Sequence, residues 1–105
     1  MIPTIPQIVL TTCPDAASAE RIARVLVDER LAACVNLLPP MRSIYRWQGQ
    51  VEDATEQLLV IKTAQPFAAV RDRIRGLHPY ELPEIIAVAV ADGLPEYLSW
   101  LRDPE

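Results

Sequence analysis

The chain is short of the residues from which most familiar sites are built: it has one histidine, two cysteines and three glycines. Lys62 is the single lysine among ten cationic side chains. With one histidine and no glycine-rich loop there is no phosphate loop, no nucleophile elbow and no Ser-His-Asp order. No catalytic residues are therefore expected. Basic runs are absent and the net charge is -4, which speaks against nucleic acid or an anionic membrane surface as a partner. The N-terminal stretch "MIPTIPQIVLTTC" has no basic leader, and its prolines interrupt any apolar run long enough for a signal or a membrane span. A cytoplasmic protein is expected. In that reducing compartment Cys13 and Cys34 read as free thiols, and their spacing matches no zinc motif.

What the chain does have is apolar residues: half of its 105 positions are hydrophobic and 23% are charged. This suits one domain, 1–105, with an unusually apolar surface. The stretch 7–13 reads as a strand, stopped by Pro14, with Asp15 as the cap of a helix whose apolar face is Ala19, Ile22, Ala23 and Leu26. "ACVNLL" is a second strand, broken at Pro39 and Pro40. "RSIYRWQGQ" then resumes the extended pattern, with Ser43, Tyr45 and Trp47 on one face and a turn at Gly49. The chain returns as a third strand, expected to be irregular around Asp53 to Thr55 and strongly apolar from Leu58 to Ile61. Phe67, Val70, Ile74 and Leu77 mark a second helix, "EIIAVAVA" the last strand and "PEYLSWL" a short closing helix. The order predicts an α+β fold, a ferredoxin-like βαββαβ sandwich with a long bulged hairpin between the second and third strands.

In "LLVIKT" and "EIIAVAVA" consecutive residues are apolar, so both faces of the sheet carry apolar side chains while two helices can cover one. The uncovered face predicts self-association. Tyr45 and Trp47 on the hairpin arm, with Tyr97 and Trp100 on the last helix, are the candidate interface anchors.

Five pieces in order, "RLAACVN", "SIYRWQGQ", the strand Glu56 to Thr63, "HPYELPEI" and "YLSWL", resemble the CutA family over nearly the whole chain. The resemblance implies a ferredoxin-like fold, a tight trimer built through sheets and hairpins, an architecture similar to the PII signalling proteins, and a role in tolerance to divalent cations, copper above all. It implies no settled enzymatic activity. Copper ligands in the family are attributed to a cysteine on the first strand and a double histidine before "PY". Here Thr11 holds the cysteine position, with Cys13 two residues on, and Leu77 holds that of the first histidine. The carry-over thus reduces to Cys13 and His78, with copper(II) or another divalent cation as the implied ligand.

Each candidate has a plainer reading beside this one. His78 reads as a corner residue bonded to backbone or as a ligand, and Cys13 as a packed thiol or a metal donor. Lys62, inside an apolar strand, reads as a snorkelling stem or as an anion anchor. Glu84, at the start of the last strand, reads as a buried polar partner for Lys62, Tyr80 or Arg30. The expected topology puts Lys62 and Cys34 at one edge of the sheet and Cys13, His78 and Tyr80 at the other, so these groups can meet only between subunits. The residues of such an intersubunit cleft are Lys62, Tyr80, Glu84, Arg30 and Cys34. The functional expectation is a trimeric protein of copper tolerance, and the alternative is a PII-like trimer that binds a small metabolite in that cleft.

Overall fold

A computed structural model describes residues 5–105. The elements run β1 (Gln7–Cys13), α1 (Ala16–Asp28), β2 (Cys34–Leu37), β3 (Met41–Trp47), β4 (Gln50–Thr63), α2 (Phe67–Leu77), β5 (Ile86–Ala89) and α3 (Pro95–Arg102). All pairings are antiparallel, in the order β2-β4-β1-β5, with β3 pairing β4 beyond the end of β2. This is the expected mixed α+β arrangement, with three helices and one sheet.

Alternation sets the two faces of the sheet. Val9, Cys13, Leu59 and Ile61 point to one side and are fully buried against Ala19, Ile22 and Leu26 of α1 and Val70 and Ile74 of α2. Helix α1 starts where the sequence places it, because the Asp15 Oδ1 accepts the Ser18 N–H at 2.8 Å. The intervening positions of the sheet turn away from both helices. Register aligns Ile8 with Lys62 and Val88, and Leu10 with Val60 and Ile86, on this second face. Ile86 and Val88 are about half exposed there. Neither α1 nor α2 covers that face, and α3 packs against β4 with Leu101 buried.

Two details depart from the sequence reading. The pairing of β3 with β4 is regular from Met41↔Glu56 to Trp47↔Gln50, so no irregularity falls at Asp53 to Thr55. It lies instead between Leu37↔Leu59 and Met41↔Glu56, where residues 38–40 oppose 57–58. Pro39 and Pro40 have no N–H for the ladder, and the extra residue is accommodated there. The last strand is also shorter than "EIIAVAVA", holding four residues that pair β1 alone. The β3–β4 turn is Gln48-Gly49, both at positive φ (49° and 78°), as a two-residue hairpin loop requires. The hairpin carries the chain well past the helices, giving a molecule 44 Å long and 26 Å across.

Candidate functional site

The corner after α2 brings the single histidine back onto β1. His78 caps the helix, its N–H bonding the Ile74 carbonyl at 2.9 Å, and its ring is buried. The Nε2 atom lies 2.7 Å from the Thr12 carbonyl oxygen, and the Nδ1 atom accepts the Tyr80 N–H at 3.1 Å. A carbonyl has no proton to give, so Nε2 carries the hydrogen and the ring is the neutral tautomer with both nitrogens engaged. The imidazole thereby fixes the backbone at Tyr80, whose ring lies 5.0 Å from its own. The His78 ring ties the corner to the first strand.

Tyr80 in turn reaches β4. Its hydroxyl donates to the Glu56 Oε2 at 2.8 Å, and Glu56 is 7% exposed. Burial, then the hydrogen bond and the charge of Glu56, push the phenol well above its ordinary value. The sequence gives Glu56 no role of its own, because it sits one step of alternation before the apolar run of β4, where a polar side chain reads as surface. Glu84, which the sequence offered as a buried partner for Lys62, Tyr80 or Arg30, is exposed, and the carboxylate bonded to Tyr80 is Glu56. The strand begins two residues after Glu84, at Ile86, so no ladder draws its side chain inward.

In front of this pair lies a cavity of about 930 Å³, lined by Leu10 and Leu58 of the uncovered face, by Tyr45 and Trp47 of the hairpin, and by Glu56, Tyr80, Glu81 and Glu84. Three carboxylates and no basic side chain face it. Tyr45 and Trp47 are each 41% exposed, and the Tyr97 and Trp100 rings lie 5.6 Å apart, tilted, on the last helix.

The remaining sequence candidates lie elsewhere. Cys34 pairs directly with Lys62, whereas Cys13 pairs Gln57. Five residues of β4 therefore separate the two thiols along the strand, roughly 17 Å, and they face opposite sides of the sheet. The separation runs between the ends of the strands, not between sheet edges, since β1 and β4 are both interior strands. Arg30, at φ 60°, follows α1 and contacts the Pro104 carbonyl at 3.4 Å. Within one chain Tyr80 and Glu84 thus share a cavity, and Lys62, Arg30 and Cys34 do not join them.

The donors present do not fit a copper ion at Cys13 and His78. Both His78 nitrogens are already bonded, and Cys13 is fully buried. Burial, followed by the nearby Asp15 and Glu56 charges, raises its thiol to about 11, so it is protonated near neutral pH. Thr11, in the implied cysteine position, faces the core with its hydroxyl oxygen unpaired. Among the described residues no three His, Cys, Asp or Glu side chains converge as a metal set.

Residues 7–104 match the family model described as CutA1 divalent ion tolerance protein. The divalent-cation tolerance protein CutA of Thermus thermophilus is 50% identical over 98 residues, covering 92% of this chain and 95% of that protein. Human Protein CutA is 48% identical over 92 residues, 87% of this chain and 51% of its own length, so the chain spans about half of that relative. A crystal structure of CutA from Xylella fastidiosa is 56% identical and superimposes with a TM-score of 0.88, over 91% of this chain and 93% of that one. Compartment varies in the printed names: an Arabidopsis thaliana relative is called chloroplastic and an Archaeoglobus fulgidus structure periplasmic.

Proposed function

Because the chain belongs to the CutA1 divalent ion tolerance family, we propose that it serves divalent-cation tolerance as a homotrimer on a ferredoxin-like frame, with copper among the ions concerned. The observation that carries the assembly is the sheet with α1 and α2 on one side. Leu58, Val60, Ile86 and Val88 lie on the uncovered face, and the hairpin extends it with Tyr45 and Trp47. Exposed apolar surface of that extent is what an interface between copies removes from water. Burial at about 25 cal/mol per Å² of apolar area makes such a contact a large share of the stability of an 11.7 kDa chain.

The cavity at Glu56 and Tyr80 is the place where ligand chemistry is concentrated, and a neighbouring copy closes its open side. This reading assigns no copper ion to Cys13 and His78. Two free thiols suit a reducing compartment and support a cytoplasmic setting. No helix of the described residues is long and apolar enough to cross a membrane.

Sedimentation velocity at micromolar concentration tests the assembly. A trimer is expected, and Trp47→Asp should weaken it and lower the unfolding temperature together. A well-folded monomer near 12 kDa would overturn the proposal.

A further inference from the structure

The uncovered face of the sheet carries an anion and a cation that the fold leaves without counter-charges. Glu56 lies at one end of that face on β4, nine-tenths buried, with the neutral Tyr80 hydroxyl on Oε2. None of the ion pairs among the described residues includes it. A carboxylate withdrawn from water is costly unless a positive group compensates it, and one hydroxyl does not supply that charge. The cavity in front of it adds Glu81 and Glu84 and no basic side chain.

Lys62 lies on the same strand and the same face. Ile61 points into the core with no exposure, so Lys62 points away from it, between Ile8 and Cys34 on the flanking strands. It too takes part in none of those ion pairs. Six residues of extended chain, roughly 20 Å, separate Lys62 from Glu56, so the two cannot meet within one copy.

We propose that the Glu56 cavity is completed by Lys62 of a second copy, whose ammonium enters it and pairs with the carboxylate. The site at each contact is then Glu56 and Tyr80 from one chain and Lys62 from the next. The inference rests on the assembly proposed above and goes beyond it by naming the residue each copy lends. Charge complementarity selects this occupant. The cavity presents three carboxylates, and Lys62 is the cation set in the apolar face that a neighbour would cover. A head-to-tail contact of this kind lets every copy give one lysine and receive one, as a closed ring requires. The aromatic wall of Tyr45 and Trp47 would line the path of the lysine stem.

A double-mutant cycle on the full chain tests it, with Glu56→Gln, Lys62→Met and the double variant compared by sedimentation equilibrium. Each single variant should weaken assembly tenfold or more, and the double variant should be no weaker than the worse single. Lys62 is partly exposed in the single chain, so its replacement by methionine leaves the core untouched. A Lys62→Met chain that assembles as tightly as the wild type overturns the pairing on its own. Single effects that multiply in the double variant overturn it as well, while the assembly proposal stands. A wild-type monomer overturns both.

Discussion

Replacing Tyr80 with phenylalanine removes one oxygen atom and keeps the ring that packs 5.0 Å from His78. What is lost is the 2.8 Å hydrogen bond to a carboxylate that is 7% exposed. A hydrogen bond to a charged acceptor contributes about 1.5–3 kcal/mol net, and the loss includes the cost of leaving a buried oxygen unpaired. Tyr80→Phe should therefore destabilise the fold by about 2 kcal/mol at neutral pH. The control is Glu56→Met in the same background, made in a Lys62→Met chain so that no lysine is orphaned: with all the polar partners gone the double variant should recover most of the loss. Urea unfolding followed by circular dichroism measures each variant, at one fixed protein concentration because association adds to apparent stability. A change below about 0.5 kcal/mol for Tyr80→Phe, or a double variant equal to the sum of the singles, would refute the claim that Tyr80 and Glu56 act as a buried pair.

Cys13 gives a pH dependence of definite sign. Its thiol is raised from 9.0 to about 11 by burial, so the stability it contributes is fully present below pH 9 and is lost as pH rises through about 11. Wild type should lose on the order of 2 kcal/mol more than Cys13→Ala across that window, read as the difference between their unfolding curves against pH. Copper(II) titrated into the wild type and into His78→Ala should bind with the same stoichiometry and with affinities within about threefold, because the imidazole has no free nitrogen; calorimetry that shows a lost site would restore His78 as a ligand. Asp15→Ala removes the cap of α1 and should lower the unfolding temperature by a few degrees at pH 7. The Asp15 carboxyl is held below its ordinary 3.8 by the Ser18 bonds. The difference should thus be present above that pH and fade as pH falls through the lower folded value.

The sequence by itself determined the elements and the two faces of the sheet. Ala19, Ile22 and Leu26 repeat at helical spacing, Val9 and Ile61 fall on the core side by alternation, and Asp15 follows Pro14 as a cap. Each of these signals is local, set by backbone geometry within a few residues. The uncovered face was legible for the same reason, since two consecutive apolar residues in a strand must point to opposite sides.

Tertiary structure decided what met across the chain. Glu56 and Tyr80 are 24 positions apart, and His78 meets Thr12 across 66. Such contacts depend on strand register and on where the corner after α2 lands, and no periodicity encodes them. Register also moved the irregularity of the hairpin to residues 38–40 and left Glu84 exposed, because β5 begins only at Ile86. The metal reading of His78 changed for a related reason. A lone histidine in a sequence shows a possible ligand, whereas the Thr12 carbonyl and the Tyr80 N–H that occupy its two nitrogens come into reach only when the corner folds back onto β1.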